Sequence, residues 1–248
     1  MRNLLFIISF DGKRYHGWQS QKNAPSVQET VKSAFKSITG EKAKIIGCSR
    51  TDARVHANMF AFSVKTSSRI PTEKFVLALN AKLPDDIAAS KCIEVDEDFN
   101  ARFSCRVKEY KYLIYNGNIR NPFYSDRAYF YPYPLDEKRL DETAKYFLGT
   151  HDFSAFCSSG ASVVSKVRTI YDAEVTRNGE MVIFTISGDG FLYNMVRIIV
   201  GTLLYTETGK IKKEEIPEII HSLDRKRAGI TVPPAGLYLN KVFFDFDI

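Results

Sequence analysis

Apolar positions are densest at the start of the chain, where Leu4, Leu5, Phe6, Ile7 and Ile8 run without interruption and stop at Asp11-Gly12. A short apolar run closed by a turn signal reads as a buried strand over residues 3–10. Val27, Val31, Ala34, Phe35 and Ile38 then recur at helical spacing up to Gly40, behind Ser26, which can form a capping box with Glu29. Residues 44–49 and 59–65 read as strands, the second alternating Phe60, Phe62 and Val64. A helix over 72–83, stopped by Pro84, and a strand over 87–95 complete the order βαββαβ.

The order then repeats. Tyr110, Tyr112 and Ile114 alternate along a strand over 106–115, and Leu140, Ala144, Phe147 and Leu148 share one face of a helix over 136–148. Strands over 167–177 and 181–187 flank Asn178-Gly179, a hairpin signal. The clearest helix follows: Leu192, Met195, Val196, Ile199, Val200, Leu203 and Leu204 stand at i, i+3, i+4, i+7, i+8, i+11 and i+12. A short helix near 214–223 and a last strand over 237–246 close a second βαββαβ. The pattern predicts an α+β chain of two ferredoxin-like halves, 1–105 and 106–248, with helices on one side of their sheets. No low-complexity linker separates them, so the sheets are expected to join around a central cleft.

Composition narrows the class. With 44% hydrophobic and 26% charged residues among 248, the chain is expected to be ordered and soluble. No apolar run reaches the ~18 residues of a membrane span. Residues 1–10 hold one basic residue, with no small-residue cleavage site after them, so a cytoplasmic location is expected. Cys48, Cys92, Cys105 and Cys157 form no C-x-x-C pair, and His16, His56, His151 and His221 are dispersed. They read as reduced thiols and isolated imidazoles rather than metal ligands.

The net charge of +6 lies almost wholly in the first half, where 1–105 carries 16 basic against 11 acidic residues and 106–248 carries 19 against 18. Such a surplus suits a polyanion such as nucleic acid; solvated surface lysines account for it equally well. Lys108-Glu109-Tyr110-Lys111-Tyr112 interleaves cations with aromatic rings, as RNA-binding surfaces do. An aromatic-rich sheet core is the alternative.

Two places break the pattern. Between two strands, residues 48–57 pack Arg50, Asp52 and Arg54 into five positions. Loops of this kind carry function, although a polar turn capped by Asp52 fits the local pattern as well. Arg197 stands midway along the most apolar helix, with no acid four residues before or after it. A buried arginine needs a carboxylate from elsewhere, for which Asp52 is a candidate; snorkelling to the surface is the competing reading. An Asp held by Arg stays ionised at neutral pH.

Ser49-Arg50-Thr51-Asp52-Ala53-Arg54-Val55-His56-Ala57 resembles the G-R-T-D-A-G-V-H-A signature of the tRNA pseudouridine synthase A family. The resemblance continues through Gly17-Trp18-Gln19, Val27-Gln28, residues 108–112, Asp152-Phe153-Ser154-Ala155-Phe156, residues 190–197, Gly201-Thr202-Leu203 and Gly236-Leu237-Tyr238-Leu239, in family order over nearly the whole chain. It implies the pseudouridine synthase fold and isomerisation of uridine to pseudouridine in the anticodon stem-loop of tRNA. It also implies that no cofactor is used and that the enzyme is a homodimer. By the same resemblance Asp52 is the catalytic aspartate, Arg50 the base-flipping arginine, Tyr110 the tyrosine against the substrate ring and Arg197 the arginine paired with the aspartate.

Ser49 and Arg54 both replace glycine of the family pattern, which suggests a reshaped turn or an altered groove around the flipped nucleotide. A different class is a chain that binds RNA without chemistry, or a paralogue with another RNA target. Residues 58–64 faintly resemble the aromatic platform of an RNA-recognition module, although Phe60 and Phe62 also fit a sheet core.

Overall fold

In the computed structural model, which describes residues 1–160 and 163–247, the opening apolar run forms strand β1 (Arg2–Phe10). It is followed by α1 (Val27–Thr39), β2 (Ile45–Gly47), β3 (His56–Thr66), α2 (Thr72–Asn80) and β4 (Ile87–Val95), the predicted βαββαβ order. Both neighbours of β1 are antiparallel to it: β3 pairs Phe62 with Phe6, and β4 pairs Cys92 with Phe6. β2 lies antiparallel on the far end of β3, giving the ferredoxin-like order β4-β1-β3-β2. The alternation read along β3 is the reason Phe60, Phe62 and Val64 all face the core. Phe6 stacks on Phe62 at 5.0 Å, and Phe75 of α2 meets both Phe6 and Phe35 of α1 at 5.3 Å. Both helices therefore cover the same face. Each of these fully buried rings contributes roughly 1.5–3 kcal/mol by leaving water.

Ser26 caps α1 through its hydroxyl, which accepts the Glu29 N–H at 3.3 Å. The reciprocal half of the expected capping box is diverted: the Glu29 carboxylate accepts the Ser20 hydroxyl at 3.0 Å.

By its contacts the chain divides into two units, Met1–Arg106 with Tyr238–Ile248, and Val107–Leu237. The final strand, Leu237–Phe243, which the sequence pattern made the closing strand of the second half, pairs Tyr238 and Leu239 in parallel with His56 and Ala57 of β3. Its residues from Tyr238 onward group with the first unit.

The second unit contains β5 (Val107–Tyr115), β6 (Tyr129–Phe130), α3 (Glu137–Ala144), β7 (Gly149–Asp152), β8 (Val167–Asn178), β9 (Met181–Gly188), α4 (Met195–Glu207) and α5 (Ile216–Ser222). β5, β9, β8 and β7 form an antiparallel sheet in that order, and β6 adds a short parallel pairing to β5. Asn178-Gly179 makes the predicted hairpin, with Gly179 at φ 58°. Tyr112 and Phe184, opposite one another on β5 and β9, are buried, and the apolar side chains of α4 are almost all enclosed. β6 and β7 escape the sequence pattern because they are short and show no apolar alternation. No helix among the described residues is long and apolar enough to cross a membrane.

Candidate active site

The loop between β2 and β3 carries Arg50 and Asp52, and neighbouring backbone holds it in place. Thr51 O accepts the Trp18 N–H at 3.2 Å, and the Arg54 N–H donates to Tyr15 O at 3.0 Å. Asp52 O accepts the Val55 N–H at 3.2 Å, closing a tight turn immediately after the carboxylate. Glycines let the two segments approach this closely. A Cβ on Gly17, itself at φ +87°, would stand 2.1 Å from Thr51 O, and a Cβ on Gly12 would stand 2.0 Å from Val55 O. The Thr51 hydroxyl is buried without a hydrogen-bond partner among the described residues, so Thr51 is held through its backbone rather than its side chain.

Further anchors surround that clamp. The Tyr15 hydroxyl donates to Asp86 Oδ1 at 2.7 Å, and Arg14 Nε reaches Asp86 Oδ2 at 2.7 Å. Burial and the bond to Asp86 push the Tyr15 phenol up to about 12. His56, buried at the start of β3, accepts the Gly12 N–H at Nδ1 (3.1 Å) and stacks on Tyr238 at 4.6 Å. Arg50 and Arg54 are exposed, whereas Asp52 is half-buried.

Arg54, which stands where the family pattern has glycine, adopts φ 65°. This is a left-handed conformation that glycine enters freely and that costs an arginine roughly 1–2 kcal/mol. Ser49 is not among the residues with positive φ.

The other two predicted residues belong to the second unit. Tyr110, on β5, is buried and meets Phe191 edge-on at 5.0 Å. Arg197 is half-buried on α4 and does not simply extend into solvent. Its Nε donates to Val232 O at 2.7 Å and one terminal nitrogen to Asn194 Oδ1 at 2.6 Å. Tyr112 lies within the field of Arg197. Burial raises its phenol well above the ordinary range while Arg197 opposes the shift, and its hydroxyl donates to Pro233 O at 2.7 Å. Thus Arg50 with Asp52, and Tyr110 with Arg197, are each gathered within one unit.

The RNA-recognition platform has no counterpart on β3. Phe60 and Phe62 are fully buried, and Phe60 stacks on Trp18 at 4.1 Å. Sequence reasoning misses Gly12, Tyr15 and His56 in the clamp, and Asn194 beside Arg197. A glycine just after a strand and an asparagine just before an apolar helix are the signals that point to them.

The first unit thus has a ferredoxin-like strand order and holds the Arg50–Asp52 loop through its backbone, in a chain of net charge +6. A family model described as tRNA pseudouridine synthase matches residues 6–104 and 143–245. The chain is 52% identical over 244 residues to the tRNA pseudouridine synthase A of Acetivibrio thermocellus, covering 98% of this chain and 100% of that protein. It is 47% identical over 244 residues to the protein of the same name from Thermoanaerobacter sp., with the same coverage. It is 46% identical to the tRNA pseudouridine synthase A 2 of Clostridium perfringens, again over 98% of this chain and 100% of that one. The chain therefore belongs to the tRNA pseudouridine synthase family, which makes it an isomerase.

Proposed function

We propose that this protein converts uridine to pseudouridine in the anticodon arm of tRNA, with Asp52 as the reacting carboxylate. The observation that carries the reading is the backbone clamp on the Asp52 loop, found in a chain of this family. The reaction breaks the N1–C1′ bond, turns the uracil and joins its C5 to C1′; the C5 hydrogen leaves as a proton and one returns to N1. No electrons are gained or lost, so the side chains suffice and no cofactor is needed.

An ionised carboxylate serves either of two routes: attack on the ribose, or removal of a ribose proton. Arg50, exposed at the rim of the loop, fills the gap left by the flipped nucleotide, and the Tyr110 ring, fixed by Phe191, lies against the uracil. Arg197 keeps Asp52 charged where water is excluded. The basic surplus of residues 1–105 supplies phosphate contacts, and the enzyme works as a cytoplasmic homodimer on one tRNA surface.

Arg54 adopts φ 65°, a conformation that glycine reaches freely, which supports a target in the anticodon arm. Mapping pseudouridine in bulk tRNA from cells with and without this protein tests the proposal. Loss confined to the anticodon arm is the expected result. Loss at another position would reassign the target, and an unchanged map would overturn the function.

A further inference from the structure

Asn194 occupies the position before α4 at φ 61°, ψ 8°, a left-handed conformation that is uncommon for any residue with a side chain, although asparagine enters it more readily than most. Asparagine at the start of a helix ordinarily turns its side chain onto the free N–H groups of the first turn. Here it makes no such bond among the described residues. The amide is used elsewhere. Asn194 Oδ1 accepts from a terminal nitrogen of Arg197 at 2.6 Å, and Asn194 Nδ2 donates to Ser158 Oγ at 2.9 Å. A guanidinium only donates, so the oxygen must face Arg197 and the nitrogen must face Ser158. The Ser158 N–H donates to Tyr193 O at 3.1 Å, which ties the same segment to the residue before Asn194.

A strained backbone that forgoes a helix cap to fix one arginine is the kind of local cost that accompanies function. The Asn194 amide and the Val232 carbonyl are neutral acceptors, so they orient the Arg197 guanidinium without cancelling its charge. A carboxylate at position 194 would orient it equally well and neutralise it. Tyr112, a titratable group in the same field, stays neutral because burial raises its phenol.

We infer that Asn194 is a positioning residue for the reaction, setting the aim of the Arg197 cation while leaving its charge available to a reacting group. The inference rests on the reading under which Arg197 keeps Asp52 ionised.

The test compares Asn194→Gly, Asn194→Asp and Arg197→Lys by turnover against pH, by the Kd for tRNA and by melting temperature. Glycine accepts φ 61° at no steric cost, so Asn194→Gly is expected to melt no lower than a few degrees below the parent. Its kcat is expected to fall about tenfold, with the Kd for tRNA within about twofold, because the cation is misaimed rather than removed. The acid limb of its kcat profile is expected to move to higher pH, since a carboxylate with weaker support from a cation protonates sooner. Asn194→Asp is expected to show the same shift with an intact fold, its new carboxylate competing for Arg197. If Arg197→Lys moves the acid limb but both position-194 variants keep the parental kcat and profile, Asn194 has no positioning role. If Arg197→Lys itself leaves the profile unmoved, the reading of Arg197 fails first and the inference falls with it.

Discussion

Two charged side chains, one in each unit, are held by opposite means. Asp52 sits on a loop fixed through its main chain: Thr51 O and the Arg54 N–H are bonded to backbone of the 12–18 segment, and Gly12 and Gly17 let that segment come close. Arg197 is fixed through its own side chain, by an asparagine amide and a carbonyl. The difference predicts where each region tolerates change. A backbone clamp is indifferent to the side chains on the loop itself, which is how Arg54 can stand in a glycine conformation, but it admits no Cβ on the opposing glycines. A side-chain clamp depends on the chemistry of single partners and is less sensitive to neighbouring bulk.

Gly17 is the most sensitive position of the backbone clamp. Gly17→Ala combines a backbone clash with a disfavoured φ, and is expected to cost about 3 kcal/mol of stability and about a hundredfold in kcat by displacing Asp52. Denaturant unfolding and single-turnover kinetics measure the two effects, and a variant with parental values in both would show that the clamp is slack.

Arg197→Ala comes next. It strips a donor from Val232 O and from Asn194 Oδ1, and is expected to lower stability by about 2 kcal/mol and to lose most turnover. Arg197→Lys should recover only part, since a point charge cannot match a planar fork. Equal stability and activity in the alanine variant would show that Arg197 has no part in the fold or the reaction.

Arg54→Gly acts on the same loop in the opposite sense. Relief of the left-handed strain is expected to raise stability by about 1 kcal/mol, partly offset by the greater freedom of glycine when unfolded. The modified uridines should not change. A shift in target on restoring glycine would show that the Arg54 side chain selects the substrate.

The smallest effect concerns Tyr15. Its phenol is raised to about 12 against about 10 when unfolded, so the stability it contributes is complete below pH 10 and is lost as pH rises toward 12. Tyr15→Phe, which lacks the bond to Asp86, should be less stable than the parent by about 1 kcal/mol at pH 7. The gap should narrow between pH 10 and 12; a gap constant with pH would mean that folding does not raise the Tyr15 phenol.

Elements with strong periodicity are legible in the residues alone: β1 from its apolar run, α4 from its spacing, the β8–β9 hairpin from Asn178-Gly179. The Asp52 loop is legible as a motif, and Arg197 as a charge out of place. Proximity is what a linear pattern does not convey. That Gly12 lies against Val55, or that the last strand joins β3, depends on contacts between residues far apart in the chain. The left-handed backbone of Arg54 contradicts ordinary residue preference, and only tertiary restraint maintains it. Asn194 has the position of a helix cap, and its actual partners are side chains 36 residues before it and 3 after.

Asp52→Asn keeps the shape of the side chain and removes the charge on which the chemistry depends. Tritium placed at C5 of uridine in tRNA is released when C5 bonds to C1′. The variant is expected to fold, to bind tRNA within a few-fold of the parent and to release no tritium. Release at near-parental rate from the asparagine variant would show that another group carries the reaction.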